Sequence, residues 1–385
     1  MYINHYQMNN RPKLIRLTTV DISLDTLLRG QLRFMNGQFE VLGTADDSGL
    51  LAEVERREGV RTVAVPMHRE ISPIADLKSL FALIRLFRRE RPYIVHANTP
   101  KGSLLAMMAA YATRVPHRIY TVTGLRFETT HGLFRLLLKT MERIACFCAT
   151  KVIPEGDGVK NTLYREHITR KPLQKILNGN INGIDTEYFS RSQDVTTRAA
   201  VLKEPDTFTF IFIGRMVRDK GINELVAAFD RLSEENDRVR LVLAGKFEDE
   251  LDPVDPKTKT VIENNAKIRF VGYQSDVRPY LAASDILVLP SYREGFPNVV
   301  IQAGALDLPC IVTDINGCNE IIKDGVNGII IPKQDANALY EAMRRLATHP
   351  TETAAMSAAS RELIVSRYRQ QDVWNATLEM YKSLK

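Results

Sequence analysis

Cysteine is scarce in this chain, with four in 385 residues, at positions 146, 148, 310 and 318. That excludes a fold held together by disulfides, and the Cys146-Phe147-Cys148 spacing matches neither a zinc knuckle nor a redox pair. Buried reduced thiols are the expectation, in keeping with a reducing compartment. Long apolar runs are missing as well, and none approaches the ~20 residues that span a bilayer. Residues 1–13 are polar and lack the apolar stretch of a signal peptide, so they read as a disordered lead-in to a cytosolic protein. There is no G-x-x-x-x-G-K-[ST] loop, which argues against ordinary NTP hydrolysis. The basic residues have no interleaved aromatics and form no known module, so nucleic acid is not an expected partner.

What is present suits a globular protein large enough for two cores, with 44% apolar and 25% charged residues. The net charge of +6 is unevenly spread. Residues 1–185 carry 27 Lys and Arg against 17 Asp and Glu, an excess of +10, and the remainder carries 25 against 29, or −4. A basic first half suits an anionic lipid or a phosphorylated partner, or is simply a solvated basic face.

Apolar runs at 14–20, 40–44, 62–65, 93–97, 118–123 and 151–154 read as strands. Helical spacing over 25–36, 76–89, 103–112 and 133–149 separates them. The turn formers of 178–185 mark a domain crossing, and 190–206 reads as a loop. Strands then recur at 208–213, 240–244, 268–271, 286–289, 310–313 and 328–331, with helices that include 222–235 and 298–306. Residues 372–384 form a last helix. Such alternation predicts two α/β, doubly wound domains with parallel sheets, facing across a cleft.

The chemistry concentrates in the second half. Phe212-Ile213-Gly214-Arg215-Met216-Val217-Arg218-Asp219-Lys220-Gly221 runs from an apolar strand through a glycine to an Arg and a Lys before a helix. Phe270-Val271-Gly272-Tyr273 follows, and then Pro290-Ser291-Tyr292-Arg293-Glu294-Gly295-Phe296-Pro297-Asn298-Val299, a carboxylate on a turn that starts another helix. Ligands of doubly wound domains bind beyond the carboxyl ends of the strands, where Arg215 and Lys220 are expected to project. A fixed guanidinium and ammonium stabilise a diphosphate as it gains charge on leaving. The helix start at Pro297, Asn298 and Val299 offers backbone N–H groups to the same anion. Arg218 reads as a solvated charge.

These motifs and their order resemble family 4 of the glycosyltransferases, enzymes of the GT-B fold. Leu27-Leu28-Arg29-Gly30-Gln31, Ile94-Val95-His96-Ala97-Asn98-Thr99-Pro100-Lys101 and Tyr120-Thr121-Val122-Thr123-Gly124-Leu125 look like members that build bacterial surface polysaccharides. Thr313-Asp314-Ile315-Asn316-Gly317-Cys318-Asn319-Glu320 and Asp324-Gly325-Val326-Asn327-Gly328 extend the likeness. The resemblance implies an acceptor-binding domain over 14–187, joined by the final helix 370–385, and a donor-binding domain over 188–369. It implies retaining transfer of a sugar from a nucleotide diphosphate, with UDP favoured, to a glycan or polyprenyl-diphosphate-linked acceptor. No metal and no cofactor are expected, Arg215 and Lys220 standing in place of a divalent cation.

Glu294 would contact the sugar hydroxyls, and Gly214, Gly272, Gly295 and Phe296 belong with the donor site. Where the family carries a second glutamate, this chain has Gln302, which stands either as a ribose ligand or as an ordinary helix residue. Many relatives place a histidine near Thr123-Gly124, and this chain does not. Lys101, Arg126, Glu128 and His131 are the acceptor-side candidates, with His131 either a substitute or incidental. The basic amphipathic helices 76–89 and 133–149 could rest on an anionic membrane or pack on the sheet. A sugar-nucleotide epimerase, another enzyme on this fold, or a non-catalytic nucleotide-sugar binder are the alternatives.

Overall fold

Each short apolar run that reads as a strand is one, and because a helix follows nearly every strand, neighbouring strands pair in parallel. The computed structural model describes residues 11–68, 72–250 and 252–384. The lead-in expected over 1–13 lies outside the described residues as far as residue 10, and Lys13 already opens the first strand. The chain separates into two compact units, Met1–Gly183 with Gln371–Lys385, and Ile184–Gln370.

The first unit begins with β1 (Lys13–Val20), α1 (Asp21–Leu27), α2 (Gln31–Asn36), β2 (Glu40–Asp46), α3 (Leu51–Glu58), β3 (Arg61–Ala64) and α4 (Pro73–Glu90). It continues through β4 (Ile94–Ala97), α5 (Pro100–Ala112), β5 (His117–Val122), α6 (Gly132–Cys148), β6 (Lys151–Pro154) and α7 (Asp157–Arg165). The sheet order is β3-β2-β1-β4-β5-β6. Successive side chains of a strand face opposite ways, so Ile15, Leu17, Val95 and Tyr120 fill one core while Leu14, Ile94, Ile119 and Ile153 fill the other.

The helix expected over 25–36 is broken. Gly30 sits at φ +79, and a Cβ there would come 2.6 Å from the Trp374 ring. That ring belongs to the last helix, which returns to this unit and also carries Tyr381 into the second core.

The second unit holds α8 (Gln193–Leu202), β7 (Phe208–Ile213), α9 (Ile222–Glu235), β8 (Val239–Ala244), α10 (Pro256–Asn264), β9 (Ile268–Gly272) and α11 (Arg278–Ala283). There follow β10 (Ile286–Leu289), α12 (Asn298–Ala305), β11 (Cys310–Thr313), α13 (Cys318–Ile321), β12 (Gly328–Ile331), α14 (Ala336–Thr348) and α15 (Pro350–Tyr368), after which α16 (Gln370–Lys382) belongs, from Gln371 on, to the first unit. The expected loop 190–206 contains α8. The Ser192 hydroxyl accepts from the backbone N–H of Val195 at 3.4 Å, and Val195 and Ala199 are buried one turn apart. Its sheet runs β12-β11-β10-β7-β8-β9. The chain winds outward one way from β7 and the other way from β10, so a crevice opens between the carboxyl ends of these two strands.

Candidate active site

Two loops meet at that crevice, 214–221 after β7 and 290–297 after β10. Gly221 lets them close: it adopts φ +71, and a Cβ would lie 2.1 Å from the Pro290 carbonyl oxygen. The backbone N–H of Tyr292 donates to the Asp219 carbonyl at 2.9 Å, and Arg293 Nε donates to Asp219 Oδ2 at 3.1 Å. Tyr292 Oη donates to Glu224 Oε1 at 2.6 Å. Burial, that hydrogen bond and the Glu224 charge hold the Tyr292 phenol above its ordinary range.

Within this frame the Lys220 ammonium contacts Glu294 Oε1, both side chains being largely withdrawn from solvent. Ser291 Oγ donates to the same oxygen at 2.8 Å, and Thr313 Oγ1 donates to the Ser291 carbonyl. Behind them lies Cys318, whose thiol is held up by burial and then by the Glu294 carboxylate. All four cysteines are buried free thiols. A shielded ammonium on a single carboxylate is a place where a phosphate can take over the cation and free the carboxylate for hydroxyl donors.

The other expected donor residues are disposed less uniformly. Gly214 follows β7, its N–H donating to the Ala244 carbonyl at 3.0 Å. Arg215 turns to Glu248, 2.7 Å away, and is half exposed. Arg218 is an exposed partner of Asp252 at 3.3 Å. Gly272 closes β9 at φ +67, with open space where a side chain would be. Gly295 and Pro297 are buried in the turn, and the Phe296 ring packs on Tyr368 at 5.6 Å, so only its backbone can face a ligand. Pro297 is the N-cap of α12, one position before the first helical turn in which it was expected, and Asn298 and Val299 open the helix. Gln302 is half-buried on the next turn.

Of the acceptor-side candidates, Arg126, Glu128 and His131 all lie in the loop between β5 and α6. Arg126 is exposed and lies over the Phe134 ring, Glu128 accepts from Thr162 at 3.2 Å, and His131 is the N-cap of α6. Lys101 is apart from them, buried at the start of α5 in an ion pair with Asp76. Sequence reasoning assigned no role to Asp219, Glu224, Ser291 or Thr313, which brace the site. All but Glu224 lie within motifs that had been singled out, but nothing in a lone sequence says which side chain meets which. No group of three or more His, Cys, Asp or Glu among the described residues is arranged for a metal ion.

A switch-point crevice with a largely shielded lysine–carboxylate pair between two glycine-bounded loops can hold a diphosphate beside a polyol. Likeness to known proteins gives the family. Residues 31–178 match the family described as "Glycosyl transferase 4-like domain", and residues 207–349 match "Glycosyl transferases group 1". The capsular polysaccharide biosynthesis glycosyltransferase CapM of Staphylococcus aureus is 31% identical over 372 residues, covering 96% of this chain and 97% of CapM. An Escherichia coli UDP-Gal:alpha-D-GlcNAc-diphosphoundecaprenol alpha-1,3-galactosyltransferase is 30% identical over 319 residues, 81% of each chain. Among solved structures, Anabaena HepE in complex with UDP and glucose superposes with a TM-score of 0.81 at 17% identity, over 97% of this chain and 100% of that one. The chain belongs to the group 1, family 4-like glycosyltransferases and has their two-domain GT-B fold.

Proposed function

We propose that this glycosyltransferase moves a sugar from a nucleotide diphosphate, UDP in the first instance, to a hydroxyl of a lipid-linked glycan during bacterial surface polysaccharide synthesis. The observation that carries the reading is the Lys220–Glu294 pair, braced by Ser291, at the β7/β10 crevice. On donor entry the diphosphate takes Lys220, and Glu294 turns to the sugar hydroxyls, retaining the Ser291 bond. Arg215 leaves Glu248 to clamp phosphate oxygens, and the start of α12 supplies N–H donors. Charge building on the departing phosphate is then met by groups already in place.

The same reading gives retention of configuration and independence from divalent metal. The acceptor hydroxyl attacks on the face the leaving group departs from, its proton passing to the leaving phosphate. Gln302 offers the ribose diol one acceptor and two donors in place of a carboxylate. Arg126, Glu128 and His131 meet the acceptor in this reading. The UDP and diphosphoundecaprenol in the names of similar proteins support the donor and acceptor classes. A lipid-linked acceptor brings the protein to a membrane surface as a peripheral enzyme, and no described helix is long and apolar enough to cross it.

A thermal-shift panel of UDP, GDP, ADP, CMP and their sugar conjugates tests the donor. Nucleotide at about 100 times its Kd adds about 2.7 kcal/mol of stability, a shift that Lys220→Ala should abolish. Should no nucleotide raise the melting temperature, the donor reading fails, with Gln302 the first residue to revert to glutamate.

A further inference from the structure

The outward surface of α6 is made of the wrong residues for a soluble helix. Leu133, Leu136, Leu137, Ile144 and Phe147 recur at helical spacing along one face, and that face points to solvent, with Leu133 86% and Phe147 68% exposed. The sheet side of the same helix is filled by Leu138, Glu142, Ala145 and Cys146. On α4 the exposed residues Ile74, Leu77 and Phe81 repeat the pattern, and α5 packs against both helices. An exposed apolar stripe along a helix face marks an interaction site.

A cationic groove of about 630 Å³ adjoins the C-terminal end of this stripe. Phe147, Ile168 and Pro172 form its apolar wall, and Arg143, Arg170 and Lys171 supply the charge. Arg143 donates to the carbonyls of Glu166 and His167 at 3.3 and 3.2 Å, and Lys171 to those of Cys146 and Phe147 at 2.7 and 2.9 Å. Carbonyls hold these cations without neutralising them. Glu166, the nearby acid, is taken by Arg135 at 2.9 Å and Lys139 at 2.8 Å. Arg170 is exposed and makes no hydrogen bond or ion pair among the described residues.

We propose that the α6 stripe and this groove form the surface by which the first unit docks on an anionic phospholipid bilayer. The leucines and Phe147 sink among the acyl chains while a headgroup phosphate lies among Arg143, Arg170 and Lys171. Among the described residues neither α4 nor α6 exposes a carboxylate, whereas Lys78, Arg85, Arg88 and Arg89 are all exposed on α4. A second copy of the same face would therefore meet cations with cations, and a neutral apolar partner would offer them no anion. The proposal rests on the lipid-linked acceptor reading above and adds where the membrane contact is made.

Flotation of the full chain with vesicles of phosphatidylcholine alone, and with equal parts phosphatidylcholine and phosphatidylglycerol, tests it. Binding should need phosphatidylglycerol and weaken with salt. Arg170→Ala should cut partitioning about fivefold, and Leu133→Asp with Leu137→Asp should cut it more than tenfold. These side chains are exposed, so the variants should keep the wild-type melting temperature and nucleotide shift. If the wild type floats and the variants float equally, docking lies elsewhere and the proposal fails while the function stands. If the wild type does not float yet transfers sugar to detergent-dispersed acceptor, the bilayer surface is again refuted alone. Loss of that transfer as well removes the reading on which the proposal rests. A dimer that Leu137→Asp dissociates, or equal flotation on both vesicles, also overturns it.

Discussion

Glu142 shows what a single buried residue does to the stability of the first unit. Its carboxyl lies under α6 against the sheet and accepts from Tyr120 Oη at 2.8 Å. Burial pushes its pKa up to about 7, the Tyr120 hydrogen bond opposing only in part. Below an unfolded value near 4.5 both states hold the proton and the group is neutral to stability. Between there and pH 7 the folded protein alone keeps it, so stability falls as pH rises. Above pH 7 the loss levels off at roughly 3 kcal/mol. Glu142→Gln keeps an acceptor for Tyr120 and removes the charge. The variant should match the wild type near pH 4 and melt several degrees higher at pH 8. Melting curves across that range check it, and a parallel loss in both proteins would refute it.

At the same scale, Lys220 and Glu294 were legible because both are charged residues at fixed places in glycine-bounded loops. The turn of Arg215 toward Glu248 and of Phe296 into the core was not. Side-chain direction depends on neighbours distant in sequence, here 33 and 72 residues away.

Among the elements, the strands were the most readable, since buried parallel strands are short apolar runs such as Phe208–Ile213 and Ile286–Leu289. Helices were harder. The amphipathic pattern of α6 gave its extent but not its orientation, because a solvent-facing stripe and a sheet-facing one have the same period. α8 was hidden in a polar stretch whose capping serine was the one signal.

The loop after β7 is where an element-level change should reach function. Ala at 221 would hold a Cβ against the Pro290 carbonyl in a left-handed conformation, so the two loops must part. Gly221→Ala should destabilise the second unit by about 2 kcal/mol or more and lower nucleotide affinity at least tenfold. Isothermal titration with UDP reads the second effect. Unchanged affinity would mean that the Lys220–Glu294 pair does not need the closed loops.

At the scale of the whole molecule, each unit carries its own core. The second is built from residues of the span 184–368, and the first from two faces of one sheet. The first is completed by α16, whose Tyr381 reaches a buried polar group in the sheet. Arg16 donates to Tyr381 Oη at 2.6 Å, to His96 Nδ1 at 2.9 Å and to Asn98 Oδ1 at 2.8 Å. Burial and then the Arg16 charge hold His96 well below its ordinary pKa, so the ring is neutral. With Nδ1 accepting, the proton sits on Nε2, which donates to Thr121 at 2.7 Å. Tyr381→Phe removes one acceptor from a buried guanidinium and should cost about 1–3 kcal/mol. Calorimetry of the full chain should then resolve two transitions with separate responses. Tyr381→Phe lowers the one belonging to the first unit, whereas UDP at about 100 times its Kd raises only the other, by about 2.7 kcal/mol. A single transition moved by both changes would show that the two cores unfold together, and nucleotide bound in the second unit would then protect α16 as well.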